Sequence, residues 1–168
     1  MTSEGVAAAE RPLRIAVIGA GNADDADLDR ARKLGARLAE AGAVVICGGL
    51  GGVMEAAARG CVEGGGTTVG LLPGRDDSRA NPWIALPLAT GMGEARNALV
   101  VRVAEAVVAV GGSWGTLSEI ALAQKMGIPL AILGVPPAQG LGLHHPTDPD
   151  EAADWALAQA TKGRRAPG

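Results

Sequence analysis

Short runs of β-branched and aliphatic residues, each followed closely by glycine, restrict the fold of this chain more than any other feature. The runs alternate with stretches of helical periodicity, and they cover residues 15–18, 44–47, 67–72, 106–110 and 129–133. Such runs are typical of strands covered on both faces, and their alternation with helices favours a parallel sheet. The sequence therefore predicts an α/β protein with a single Rossmann-like, doubly wound parallel sheet and helices on both faces.

Helices are expected between these strands and after the last one. Apolar residues recur about every three to four positions, as on one helix face, over residues 27–41, 51–63, 93–105, 116–126 and 148–161. Residues 75–87 show no periodicity and are expected to form a loop with a short strand near residues 84–86. We expect about six or seven strands in the order 3-2-1-4-5-6, with the main pocket at their carboxyl ends.

Length and composition indicate one domain. The chain has 168 residues, of which 48% are hydrophobic, and this suffices for one core. We expect a disordered tail over residues 1–11 and a single domain over residues 12–168. No apolar run reaches the ~20 residues of a membrane span, and the tail lacks the apolar core of a signal peptide. Cys47 and Cys61 are far from CxxC spacing, so reduced thiols and a cytoplasmic location are expected.

Composition also restricts the partners. The net charge of −3 and the absence of Tyr and Phe argue against nucleic acid, which requires a basic surface and, for single strands, aromatic platforms. Leu99, Val100, Val101 and Val103 cover more than one side of the helix expected over residues 93–105, so a homodimer or larger homo-oligomer is expected. The expected partners are therefore a small ligand and further copies of the chain, with no membrane.

Metal and pyridoxal chemistry find no support in the residue pattern. No cluster of His, Cys and carboxylates has metal-ligand spacing, and the adjacent His144 and His145 lie in a Pro-rich loop, at the surface or as a lid over the site. A pyridoxal enzyme needs a Schiff-base lysine in a pocket, whereas the lysines are Lys33, Lys125 and Lys162, on polar helix faces or at a helix end. A pyridoxal-dependent lysine decarboxylase is therefore not expected.

The glycine loop after the second strand is a strong indication of a phosphate site. Gly48, Gly49, Gly51 and Gly52 come immediately before a helix. Free backbone N–H groups and the positive end of the helix dipole converge there, which favours an anion. More glycines are present than a turn requires, so phosphate binding is predicted, with a turn that serves only the fold as the alternative. The loop lacks the Gly-Lys-Ser/Thr ending of a P-loop, so nucleoside triphosphate hydrolysis is not indicated.

The first glycine loop is a weaker signal. Gly19 and Gly21 begin like a dinucleotide-binding fingerprint, but Asp24 stands where the third glycine belongs. The second strand ends at Cys47 rather than at an acidic residue that would hold a ribose hydroxyl, which argues against a nicotinamide cofactor. Gly19 and Gly21 either form a tight turn or lie close to the ligand.

The third loop follows the most apolar strand and opens another helix. Its candidate phosphate-binding residues are Gly111, Gly112, Ser113, Gly115 and Thr116. Glu119 is expected in the first helical turn, where it either complements the helix dipole or faces the ligand. Arg96 begins the preceding helix, and a guanidinium and a carboxylate at adjacent strand ends can hold a phosphate or ribose and carry out acid–base chemistry.

Three segments, residues 48–54, 92–97 and 115–119, together resemble the LOG superfamily of Rossmann-like proteins, formerly labelled possible lysine decarboxylases. The resemblance extends from about residue 13 to residue 134. It implies phosphoribohydrolase activity on nucleoside 5′-monophosphates, with Arg96 and Glu119 catalytic and no required cofactor. It also implies ligand contact by the third loop, with Met92 and Asn97 nearby, and assembly into dimers or larger oligomers.

The sequence departs from the hydrolase motifs at Val110, where they have proline, at Ser113–Trp114, which is one residue longer, and at Asn97, where they have lysine. These departures resemble a branch that includes the molybdenum-cofactor carrier proteins, which bind a phosphate-bearing pterin without turning it over. Hydrolysis of a nucleoside 5′-monophosphate to free base and ribose 5-phosphate is the leading hypothesis, and carriage or sensing of a bound nucleotide or molybdenum cofactor is the alternative. A scaffold without a ligand is a third alternative.

Overall fold

The computed structural model describes residues 11–165, which contain a six-stranded parallel sheet with helices on both faces. The strands are β1 (Arg14–Gly19), β2 (Val44–Cys47), β3 (Thr67–Leu72), β4 (Leu86–Ala89), β5 (Ala106–Val110) and β6 (Leu130–Leu133). The helices are α1 (Asp25–Glu40), α2 (Val53–Glu63), α3 (Asn97–Arg102), α4 (Trp114–Met126) and α5 (Pro149–Arg165). The predicted fold class is confirmed. Residues 1–10 of the predicted tail lie outside the described residues.

The strand order is β4-β3-β2-β1-β5-β6, so the five predicted runs follow the predicted order 3-2-1-4-5, and only the place of the sixth strand is wrong. The short strand foreseen near residues 84–86 is β4, and it adds to the edge beside β3. A parallel neighbour requires a crossover of about a dozen residues, which residues 73–85 provide without a helix. Pro87 within β4 is compatible with an edge position, since proline cannot donate to a central ladder.

Alternating residues of the strands face two separate cores. Ile15 and Val17 of β1 pack with α1, α2 and α5, whereas Ala16 and Ile18 pack with α3 and α4. Helices α1 and α2 can approach closely because Gly35 of α1 has no Cβ. A Cβ there would collide with the Ala57 carbonyl of α2. This period-two alternation fixes which helices stand on each side of the strand ends.

Two helices differ from the prediction. Helix α4 begins at Trp114 because Ser113 is its N-cap, and Thr116 accepts the Ser113 N–H through Oγ1 at 3.2 Å from inside the first turn. The helix predicted over residues 93–105 is a 3₁₀ turn, Gly93–Arg96, followed by the short α3. Val100 and Val101 of α3 are buried within one copy, which removes part of the reason for expecting an oligomer. No helix within residues 11–165 is long and apolar enough to cross a membrane.

Candidate functional site

Arg96 is a buried cation at the carboxyl end of β2. Its side chain arrives there because the 3₁₀ turn before α3 lies above the sheet, and it is only 8% exposed. Nη2 donates to the Gly48 carbonyl at 3.3 Å, and Nη1 donates to Asn97 Oδ1. Nε is buried and has no partner within residues 11–165. Because buried polar groups are nearly always paired, the guanidinium has a donor left for a ligand.

Glu119 is the buried carboxyl group beside Arg96. It is 7% exposed, and no hydrogen bond to it is found within residues 11–165. It lies in the second turn of α4 rather than in the first, because α4 begins earlier than predicted. Burial raises the pKa of Glu119 to about 7, the guanidinium of Arg96 lowers it, and the carboxylate of Glu94 raises it. Near neutral pH this group can therefore hold or release a proton.

Cys47 lies next to both charged residues at the end of β2. Burial raises the pKa of its thiol to about 11, with smaller opposing effects from Arg96 and Glu119. Its Sγ accepts the Gly49 N–H at 3.3 Å. A thiol held neutral in this way is a poor nucleophile, so Cys47 serves as a buried packing residue at the end of β2. Both Cys47 and Cys61 are free and buried.

The second glycine loop, residues 48–52, exposes unused backbone donors. The N–H groups of Leu50, Gly51 and Gly52 make no hydrogen bond within residues 11–165. A Cβ at Gly48 would lie 2.7 Å from Met54 Sδ and 2.8 Å from Arg96 Nη2, so a larger residue there would displace the ends of these two side chains. The loop leads directly into α2, whose N-terminal end carries partial positive charge. These donors and Arg96 border the same strand end.

The first glycine loop adjoins the second. The Ala20 carbonyl accepts the Val53 N–H at 3.0 Å. A Cβ at Gly19 would lie 2.6 Å from the Val53 side chain, so packing explains this glycine. A Cβ at Gly21 would meet no atom within 4 Å, so neither crowding nor a positive φ requires glycine at that position. Gly21 thus leaves open space beside the second loop.

The third loop is held by its own contacts. Thr116 is fully buried, and its Oγ1 accepts the Ser113 N–H. A Cβ at Gly112 would lie 2.9 Å from the Thr116 side chain, whereas one at Gly115 would meet only Ser113 Oγ, at 4.0 Å. Trp114 is 86% exposed at the start of α4. The open part of this loop is therefore its turn around residues 113–115.

Met92 and Asn97 flank Arg96 differently. Met92 is 47% exposed and precedes the 3₁₀ turn, and its N–H donates to Thr90 Oγ1 at 3.2 Å. Asn97 is buried, and its side-chain oxygen accepts from Arg96. Asn97 therefore orients the guanidinium from a position at which the hydrolase motif has a cation.

Asp27 is a carboxylate at the strand ends that was not among the predicted site residues. It pairs with Arg30 at 2.8 Å, and it occupies the place that a Cβ at Gly111 would take. A Cβ at Gly134 would also lie 2.8 Å from Asp27 Oδ1. Asp27 therefore stands over the ends of β5 and β6. The available signal was the acidic first turn of α1, which follows the first glycine loop.

The cavities do not follow the expectation for the main pocket. One cavity, of about 670 Å³, lies at the amino end of β1 beside the end of α5, and Arg11, Arg14 and Arg164 are among its lining residues. At the carboxyl ends, a cavity of about 390 Å³ is lined by Arg96, Glu94 and Arg79 among others. The cavity at the carboxyl ends is smaller than the one at the amino end of β1, so the prediction that the main pocket lies at the carboxyl ends is wrong. Glycine loops offer few side chains to wall a cavity, and two of the seven residues that line the smaller one are Gly74 and Gly93.

The two histidines have structural partners. The His144 ring stacks on Trp155 with 5.0 Å between centroids, and the His144 carbonyl accepts the Ile132 N–H at 2.9 Å. His145 Nε2 lies 2.8 Å from the Gly134 carbonyl. His144 therefore fixes the loop after β6 against α5 and is not placed as a lid. Within residues 11–165, no group of three or more His, Cys, Asp or Glu side chains is arranged to hold a metal ion.

A family model described as the SLOG cluster4 family matches residues 12–158. The chain belongs to this family. The match confirms the resemblance to LOG-type proteins that the glycine loops indicated. A relative from Archaeoglobus fulgidus, described as an uncharacterized protein, is 41% identical over 150 residues, which cover 89% of this chain and 98% of that protein.

Two solved structures are similar over nearly their whole length. One is the molybdenum cofactor binding protein from the phototrophic bacterium Rippkaea orientalis, with 32% identity, a TM-score of 0.85, and coverage of 88% of this chain and 97% of that chain. The other is the Moco carrier protein from Chlamydomonas reinhardtii, with 35% identity, a TM-score of 0.81, and coverage of 90% and 99%. Both proteins have the fold predicted for this chain. Their names agree with the carrier branch that the departures from the hydrolase motifs resemble.

Proposed function

We propose that this protein binds a phosphate-bearing, nucleotide-like cofactor of the molybdenum-cofactor type and carries it without chemical turnover. The observation that carries the proposal is the buried Arg96 guanidinium, whose Nε lacks a partner within residues 11–165. The guanidinium borders the second glycine loop, whose N–H groups at residues 50–52 also lack a hydrogen-bond partner within residues 11–165. Anionic oxygens are the acceptors that suit such a combination of a guanidinium and a helix N-terminus.

The two glycine loops suit an extended ligand. Strands β2 and β5 both pair with β1, so their ends lie about 10 Å apart at the usual spacing of neighbouring strands. One phosphate group is too small to be enclosed by both loops. We therefore assign the phosphate to residues 48–52 and Arg96, and another part of the ligand to residues 111–116.

Asn97 favours a carrier over a hydrolase. The LOG-type hydrolases have a lysine after the arginine, whereas Asn97 is neutral and accepts from Arg96. Loss of one cation lowers the electrostatic stabilisation available to a transition state more than it lowers the capacity to bind a phosphate. The similarity to structures named as cofactor carrier and binding proteins points the same way.

Glu119 supports the second candidate, a nucleoside 5′-monophosphate phosphoribohydrolase. A buried carboxyl group whose pKa is raised to about 7 suits general acid–base catalysis near neutral pH. In that reaction Glu119 would position the attacking water or stabilise the oxocarbenium-like ribose, and Arg96 would orient the ligand.

One experiment separates the candidates. Purified protein is mixed without oxygen with isolated molybdenum cofactor, passed over a gel-filtration column and analysed for molybdenum and for the fluorescent oxidised pterin. In parallel, a panel of nucleoside monophosphates is incubated with the protein and free base is measured. Co-elution of cofactor without release of base supports the carrier. Release of base that Glu119→Gln abolishes supports the hydrolase, and absence of both results refutes both.

The assembly and location of the protein remain part of this proposal. We expect a homodimer or larger homo-oligomer in the cytoplasm. Light scattering of the wild-type protein at micromolar concentration tests the first point, and a monomer there would contradict it.

A further inference from the structure

Asn81 lies in the connection between β3 and β4, yet its polar atoms reach the second glycine loop. Its backbone N–H donates to the Gly49 carbonyl at 2.9 Å. Its Nδ2 donates to the Leu50 carbonyl at 2.8 Å and to the Gly49 carbonyl at 3.3 Å. Its Oδ1 accepts the Trp83 N–H at 3.0 Å, and the residue is 8% exposed. Both ends of this buried amide are therefore used.

These bonds determine which way the loop presents its donors. All peptide bonds within the described residues are trans, so each carbonyl points opposite to the N–H of the next residue. The Gly49 and Leu50 carbonyls point towards Asn81. The N–H groups of Leu50 and Gly51 must consequently point away from Asn81, and these are the N–H groups without a partner within residues 11–165.

We propose that Asn81 is the positioning residue of the anion site: by holding two carbonyls it turns the Leu50 and Gly51 N–H groups towards the phosphate. This inference rests on the proposed phosphate binding. A side chain that could not donate would release the Leu50 carbonyl, whereas the Gly49 carbonyl would keep the Asn81 backbone N–H. A flip of the peptide between Leu50 and Gly51 would then place a carbonyl oxygen where the anion is expected. Without Asn81 the glycines that permit this loop would also permit the wrong orientation.

Asn81→Asp tests the donation itself. It keeps the size of the side chain and the acceptor for Trp83, but a carboxylate cannot donate to the two carbonyls. At pH 8 we expect the affinity for 5′-AMP, relative to wild type at the same pH, to fall about tenfold or more. A carboxyl buried against carbonyl oxygens takes up a proton readily, and it then becomes a donor. The loss relative to wild type should therefore shrink at pH 5.

Ser78→Ala is the matched control in the same connection. Its hydroxyl donates only to Asp76 Oδ1, at 2.6 Å, and this variant should bind 5′-AMP as wild type does. A second measurement needs no variant: in isotope-labelled wild-type protein, the Leu50 and Gly51 amide signals should shift on titration with 5′-AMP and with inorganic phosphate.

The outcomes separate this inference from the proposed function. Three results would each overturn the role of Asn81 and leave the proposed function standing. They are wild-type affinity in Asn81→Asp, a loss of affinity that is equal at both pH values, and unmoved Leu50 and Gly51 amide signals in a protein that binds 5′-AMP. If the wild-type protein binds none of the three probes, 5′-AMP, inorganic phosphate and isolated molybdenum cofactor, the proposed function fails and the inference fails with it.

Discussion

Glu119→Gln should stabilise the protein at alkaline pH and leave its stability at acid pH almost unchanged. The folded-state pKa of Glu119 is raised from 4.5 to about 7 by burial, so the folded protein holds this proton more tightly than the unfolded chain does. The stability associated with the proton is fully present below pH 4.5 and is lost as the pH rises through 7. Glutamine stays neutral throughout and avoids that loss.

The size of the effect follows from the same values. At ~1.4 kcal/mol for each unit of pKa, the difference between 4.5 and about 7 corresponds to roughly 3 kcal/mol above pH 8. The attraction of Arg96 for the ionised carboxylate is already contained in the value of about 7, so it is not subtracted again. In a chain of this length roughly 3 kcal/mol corresponds to an increase of about 6–12 °C in Tm.

Thermal unfolding of both proteins at pH 4.5 and pH 8.5, without ligand, measures this difference. Glu63→Gln is the control, because Glu63 is an exposed carboxylate whose pKa is lowered by Arg59 and Arg32. It should give no stabilisation at pH 8.5. An equal change in Tm for Glu119→Gln at both pH values, or destabilisation at pH 8.5, would refute the reasoning that burial raises the pKa of Glu119.

Three further predictions concern the anion site. Arg96→Ala should weaken binding of the isolated cofactor about 10- to 100-fold in calorimetry, since charge-assisted bonds are lost, and unchanged affinity would exclude Arg96 from the site. Gly48→Ala should weaken binding about tenfold and lower Tm by a few degrees, because its Cβ would lie 2.7 Å from Met54 Sδ and 2.8 Å from Arg96 Nη2; wild-type binding would show that the guanidinium moves freely. Glu55 Oε2 lies 3.9 Å from the position that a Cβ on Gly51 would take, so its negative charge repels an anion bound at this loop. Glu55→Gln should therefore strengthen binding of 5′-AMP about two- to fivefold at low salt. Weaker binding in that variant would mean that Glu55 holds the loop in place.

Much of the fold was predictable because it is encoded locally. Each apolar run followed by glycine is a strand, and the bounds of β2, β3 and β5 agree with the predicted runs. The period of the apolar pattern separates strands from helices. Glycines before a helix likewise indicate a backbone anion site without knowledge of the rest of the chain. The family could also be identified, since its motifs are contiguous segments.

The tertiary structure decided what depends on contacts between distant segments. Asn81 meets Gly49 across 32 residues, and Arg96 meets Gly48 across 48. No local period records which strand end a side chain will reach, so the sequence indicated Arg96 only through its motif and did not indicate Asn81. The same holds for β4, whose four residues are too few to set a period and whose place at the edge is fixed by pairing with β3. Burial of Glu119, and with it the raised pKa, results from helix α4 packing over the strand ends, because only the folded chain removes that carboxyl group from water.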